Sequence, residues 1–201
     1  MNRRDVMRLL LGVSAYIAIT PYSFAGGDLL DRFQARYRSA HTIRCTFTNA
    51  SGAMGTIIAM RGGMYRVTMP DRIIVSNGKT VWSATTSAKS VIMNTYKAKS
   101  NDLSLEKVFF EIINIYKAQI VGTKGNGGTI RLTPQDSRTV IAGVTKAEVT
   151  LDASMRATRI VLTENGTTTV YTVSKMAINP KVNASTFTFS PPRGWELIDL
   201  R

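Results

Sequence analysis

One histidine and one cysteine set narrow limits on the chemistry open to this chain of 201 residues. His41 stands where a helix-like stretch gives way to a strand-like one, without a sequence-adjacent partner, and one histidine alone cannot anchor a metal site. A serine-histidine-carboxylate triad would have to run through His41 as well, yet no Gly-x-Ser-x-Gly elbow accompanies it. Cys45 is alone, so no internal disulfide or multi-cysteine metal site can form. Carboxylates are few and scattered, and neither a phosphate-binding loop nor a dinucleotide fingerprint occurs. The residues thus read as those of a binding protein, not an enzyme, with no cofactor expected.

Charge narrows the partners. Lys and Arg number 26 against 13 Asp and Glu, a net +13. Nucleic acid is the first reading of such a balance. Two features argue against it. The basic residues are spread singly along strand-like runs, without a Lys/Arg block, and the first residues, MNRRDVMRLLLGVSAYIAITPYSFA, have the layout of an export leader. A basic start there precedes an apolar run, Leu9 to Thr20, and small residues where a signal peptidase cuts. The apolar run falls short of the roughly 20 residues a membrane-spanning helix needs. We therefore expect residues 1–25 to be a cleaved signal peptide and 26–201 to form one domain. Arg3-Arg4 gives the leader a twin-arginine look. Loss of its three arginines and one aspartate would leave +11. An exported protein so basic suits anionic lipid surfaces or acidic proteins, and the same charge also serves solubility.

The elements that must position any site follow from periodicity. Leu29, Leu30, Phe33 and Tyr37 recur at helical spacing in a short amphipathic segment from Asp28 to Tyr37. From Thr42 the period becomes two, with Ile43, Cys45 and Phe47 alternating with polar residues, and like runs follow at Gly55–Met60, Met64–Met69, Arg72–Trp82 and Ser90–Tyr96. One long helix interrupts at Asp102–Lys117, where Leu105, Val108, Phe109, Ile112, Ile113 and Tyr116 form an apolar stripe that Leu103 and Phe110 widen. Strand patterns then resume around Ala118–Val121, Thr129–Thr133, Thr145–Leu151, Arg156–Thr163 and Thr168–Lys175, with turns at Gly125-Asn126-Gly127-Gly128 and Asn165-Gly166. Roughly ten short antiparallel strands with two helices predict a sandwich or a barrel.

Arg72–Trp82, RIIVSNGKTVW, is a hairpin in which Asn77-Gly78 would form a type I′ turn. The expected pairing sets Ser76 against Lys79, Ile74 against Val81 and Ile73 against Trp82. Ile73, Val75 and Trp82 then share one face, and Ile74 and Val81 the other. Both faces are apolar, so both must be covered.

This hairpin and the tail from Val182 to Gly194 resemble the periplasmic outer-membrane lipoprotein carrier family, the LolA type. The family's Val-Ser-Asp-Gly-Lys-Thr-x-Trp stretch appears here as Val75 to Trp82, and its Phe-x-Phe-x-Pro-Pro-x-Gly tail as Phe187 to Gly194. The resemblance implies a mainly β fold with α-helices: an unclosed antiparallel β-barrel, a half-barrel, whose hydrophobic cavity is lidded by helices and receives the acyl chains of lipoproteins. It assigns Leu30, Phe33 and Tyr37 of the first helix to that cavity. Phe47, Tyr65, Val67, Met69 and Trp82 would line it from the strands, and Phe109, Ile112, Ile113 and Tyr116 from the long helix. Met54, Met60, Met64 and Met93 would add a flexible lining.

An arginine at an early strand in this family latches the lid, and the matching position is Arg61, whose guanidinium suits the unpaired carbonyls of a helix C-terminus. Gly62 stands where the family usually has proline, and Trp82 is followed by Ser83-Ala84-Thr85-Thr86 where the family has an aromatic-Asp/Asn-Pro turn. The implied partners are lipoproteins as cargo, an inner-membrane ABC-type release complex and an outer-membrane acceptor, with the carrier a monomer in the periplasm. A carrier of free lipid or glycolipid, or an envelope-stress domain of the same fold that senses lipoproteins, are the alternative readings.

Overall fold

In the computed structural model, residues 25–98 and 105–201 are described. The expected leader therefore lies outside the described residues except for Ala25, as do Asp102 and Leu103 at the start of the expected long helix. Twelve strands form a single unclosed sheet: β1 (Thr42–Asn49), β2 (Met54–Met60), β3 (Met64–Thr68), β4 (Arg72–Asn77), β5 (Thr80–Thr85), β6 (Ser90–Thr95), β7 (Lys117–Lys124), β8 (Gly127–Thr133), β9 (Val144–Leu151), β10 (Ala157–Glu164), β11 (Thr167–Ile178) and β12 (Glu196–Asp199). Their order is β12-β6-β5-β4-β3-β2-β1-β11-β10-β9-β8-β7. All pairs are antiparallel except β12 with β6. Hairpins account for most of this order, since each tight turn returns the chain beside the strand just made. Two pairings are long-range: β1 with β11, which joins the two runs of hairpins, and β12 with β6 at the edge of the sheet.

The first helix, α1 (Ala25–Arg38), carries Asp28 in its first turn and Arg36 and Arg38 in its last, each charge opposing the helix dipole at its own end. Leu29, Phe33 and Tyr37 lie on one side of it and are buried. The second helical segment ends at Ile115, before the expected Lys117, and is not regular: α2 (Leu105–Lys107) and α3 (Ile113–Ile115) flank a π-helical turn at Val108–Ile112. The wider π turn lets Val108, Phe109, Phe110 and Ile112 all be buried. Tyr116, expected on the helix, already has an extended backbone at its end, with ψ of 150°.

The hairpin turn is displaced from the expected one. Ser76 pairs with Val81, Val75 with Trp82 and Ile74 with Ser83, so the central turn residues are Gly78 and Lys79. Asn77 stays in the strand because its side-chain oxygen accepts from the N–H groups of Lys79 and Thr80 at 2.9 and 2.8 Å. Gly78 alone takes the positive φ of 80° that the turn demands. The shift moves the pairing by two residues, so the division into faces survives.

Both hairpin faces are covered by different things. On the face of Ile74 and Val81, Tyr65, Val67 and Met69 of the neighbouring segment pack on the main core. On the other side Val75, Ala84, Val91 and Phe187 are buried outside that core. The 3-10 turn Ala184–Phe187 lies against β3 and β4. The tail is thus a second covering layer.

Candidate functional site

Ile43, Cys45 and Phe47 on β1 share a face with Ile57 and Ala59 on β2 and with Tyr65 and Val67 on β3, as their cross-strand pairings require. The same concave face continues through Ile130 and Leu132, Ala147 and Val149, and Ile160 and Leu162 on the far side of the sheet. The two helical segments fill it from above. Tyr37 stands at their meeting point: its ring lies 5.1 Å from Phe33 and 6.2 Å from Phe109, nearly parallel to the latter. Its hydroxyl donates to Met176 Sδ at 3.7 Å, and burial pushes its pKa up. Phe47 meets Tyr171 edge-on at 5.8 Å. Tyr116 fixes the end of the 105–115 segment, its hydroxyl donating to the carbonyl of Val144 and accepting from Ile141 N–H.

Leu30, Phe33, Tyr37, Phe47, Tyr65, Val67 and Met69 are therefore gathered with Phe109, Ile112, Ile113 and Tyr116 in one apolar interior. Trp82 is the exception. It pairs with Val75 and Met93, and Val75 pairs with Arg66, so strand alternation places Trp82 on the face away from Tyr65 and Val67. The same parity removes Met60, Met64 and Met93 from the interior and leaves Met54 exposed. Of the five early methionines only Met69 packs on the core.

Arg61 closes the interior at one end. Its Nε donates to the carbonyl of Ala40 at 2.7 Å, and its Nη2 to those of Arg38 at 3.0 Å and Tyr37 at 3.4 Å. These are carbonyls of the last turn of α1 and its exit, and that of Tyr37 also accepts from Ala40 N–H at 3.2 Å. The guanidinium carbon also lies 5.3 Å above the Phe110 ring. One side chain thereby ties β2 to both helical segments. Gly62 and Gly63 follow at φ of 90° and 75°, where proline at position 62 could not sit. A Cβ on Gly63 would overlap the Tyr96 ring.

Burial pushes the Cys45 thiol up to about 12, so it stays neutral at ordinary pH. His41 is exposed, its backbone N–H bonded to Asn179 Oδ1 at 2.7 Å. Among the described residues no group of three His, Cys, Asp or Glu could hold a metal ion, and no helix is long and apolar enough to cross a membrane.

An unclosed sheet around an apolar interior, covered by helices that a single arginine holds in place, defines a carrier-type binding fold. The chain belongs to the outer membrane lipoprotein carrier protein LolA family, whose model matches residues 42–190. This is a family of carriers rather than of enzymes. No protein with a curated description matches the chain. Among solved structures, an uncharacterized conserved protein from Thermus thermophilus is 12% identical, with a TM-score of 0.54 over 86% of this chain and 98% of that one. The lipoprotein LppX of Mycobacterium tuberculosis is 14% identical, with a TM-score of 0.43 over 79% of this chain and 98% of that one. LprF from Mycobacterium bovis is 10% identical, with a TM-score of 0.44 over 78% and 94%.

Proposed function

We propose that the protein is a periplasmic carrier that takes the acyl chains of lipoproteins released from the inner membrane into its concave interior and delivers them to the outer membrane. Residues 1–25 are its cleaved signal peptide, an inner-membrane ABC-type complex loads it, and an outer-membrane acceptor unloads it. The observation that carries this reading is the Arg61 clasp over an interior built from aromatic and aliphatic side chains. Such an interior is closed by its own side chains when empty, and opens for cargo when the helical segments swing out. Cargo then replaces contacts that Phe33, Tyr37, Phe109 and Ile112 make with the sheet.

Arg61 sets the direction of transfer in this account. Its three donations to carbonyls stabilise the closed empty state, so cargo that leaves is replaced by the clasp. The test is mass spectrometry of the protein recovered from the periplasm under native conditions. Acylated lipoproteins should co-purify with it. Recovery of free phospholipid or glycolipid alone would replace the lipoprotein reading by that of a lipid carrier.

A further inference from the structure

The outer face of the sheet divides into two regions. Over β3 and β4 it is covered by the tail that carries Phe187. Over β1, β2 and β8 to β11 it is bare of the tail, and its outward residues are mostly hydroxyls and cations, with Ile58, Val161 and Val170 among them and Val161 8% exposed. Arg44 stands on β1 opposite Ile58 of β2, while Arg66, one strand further on β3, is half-buried beside Val75 at the border of the covered region. Arg159 stands between Thr172 and Thr150, and Lys146 opposite Thr163. Lys175 is exposed where the β1–β11 register breaks, beside Arg44.

The carboxylates do not balance these cations. Glu148, on the same face, is held by Arg131 at 2.9 Å. Elsewhere Asp28, Asp136, Asp152 and Asp199 each sit within 3.2 Å of an arginine of their own. Among the described residues, Arg44, Arg66, Lys146 and Arg159 make no ion pair.

We propose that this bare outer face docks on the anionic headgroups of a phospholipid bilayer. Arg44 and Arg159 are two strands apart, at least about 10 Å, too far for both to grip one phosphate but suited to separate headgroups of a charged plane. The residues between Arg44 and Arg159 are mainly Thr46, Thr48, Thr56, Thr172 and Ser174, and the apolar residues of this face, Ile58, Val161 and Val170, are half-buried or buried, so none is an exposed apolar anchor. A protein partner normally seats a buried aromatic or aliphatic anchor in a pocket. A layer of headgroups asks only for a field of positive charge, and the face supplies that. This docking is independent of the interior, since strand alternation puts the two on opposite sides of the sheet.

Sedimentation of the full-length mature chain with vesicles tests it. Vesicles of phosphatidylcholine with phosphatidylglycerol should bind the protein, those of phosphatidylcholine alone should not, and added salt should release it. Arg44→Glu with Arg159→Glu should weaken binding at least about tenfold. A control pair with the same change in net charge, Arg36→Glu with Lys79→Glu on the helix and hairpin rim, should weaken it far less. Circular dichroism would confirm that both variants fold, and lipopeptide binding by the Arg44/Arg159 variant should persist. Equal loss in both variants would reduce the effect to net charge and overturn the proposal, as would equal binding to both vesicle types. Binding to polyglutamate without binding to vesicles would overturn it in favour of an acidic protein. A protein that binds these vesicles but no lipopeptide would contradict the carrier function and leave the docking face standing.

Discussion

Arg61 does work that a leucine of similar reach cannot, because its donors meet three carbonyls at once while its plane lies over Phe110. Arg61→Leu removes the donors and keeps the apolar stem. The carbonyls of Arg38 and Ala40 then turn to water, that of Tyr37 keeps only Ala40 N–H, and the lid opens more readily. We predict that the variant still loads acylated cargo but retains it, so that its half-time of release to an acceptor lengthens severalfold relative to the parent. Unchanged loading and release would make Arg61 a merely structural tie. The position was legible in the sequence only through the family resemblance, since an isolated arginine before two glycines has no period. Tyr65 and Val67 were legible by alternation alone, but the face they share was not. The hairpin is apolar on both sides, and no local pattern says which side meets the helices. Trp82 was placed on the wrong side for that reason.

The 105–115 segment is the element whose form departs most from its sequence pattern. An i, i+3, i+4 stripe predicts a regular helix, whereas Phe109 and Phe110 are both buried and the π turn serves both. The choice is tertiary: Phe109 stacks on Tyr37 while Phe110 lies beneath Arg61. Glu111 sits in this turn, its carboxyl raised mainly by burial, an effect that Lys107 opposes. The folded chain therefore keeps a proton on Glu111 at pH values where the unfolded chain has lost it. Stability is greatest below the ordinary glutamate range and falls as pH rises from there to the raised value. Glu111→Gln should flatten that decline and raise the melting temperature at neutral pH, as scanning calorimetry across the pH range would show. A variant that melts lower than the parent at neutral pH would contradict this. The tail poses the opposite case, for it has no periodicity and yet covers the outer face of β3 and β4. Phe187 is 2% exposed there, so Phe187→Ala should cost about 3–5 kcal/mol in urea denaturation. Its acyl binding at low denaturant should be intact, because the residue is not part of the interior.

At the scale of the molecule, the question is how a carrier holds acyl chains firmly and still lets them go. Each buried CH₂ contributes about 0.8 kcal/mol, and three long chains fully buried would approach roughly 35 kcal/mol, well beyond the non-covalent ceiling near 20. Complete engulfment would forbid release. The interior avoids it because its own side chains already fill it, so cargo must displace the contacts of Phe33, Tyr37 and Phe109, and the net gain is the difference between two packed states. On this account one side of the sheet holds cargo and the other does not. The most direct measurement compares two adjacent residues of β3: Tyr65, on the interior side, and Arg66, on the outer side. Titration of a fluorescent triacylated lipopeptide into Tyr65→Glu and Arg66→Glu, both checked as folded by circular dichroism, places equal new carboxylates on opposite faces. Binding should fall at least about tenfold in Tyr65→Glu, since a buried charge in the acyl path lacks a partner, and should be nearly that of the parent in Arg66→Glu. The reverse order, or full binding by both variants, would contradict the account.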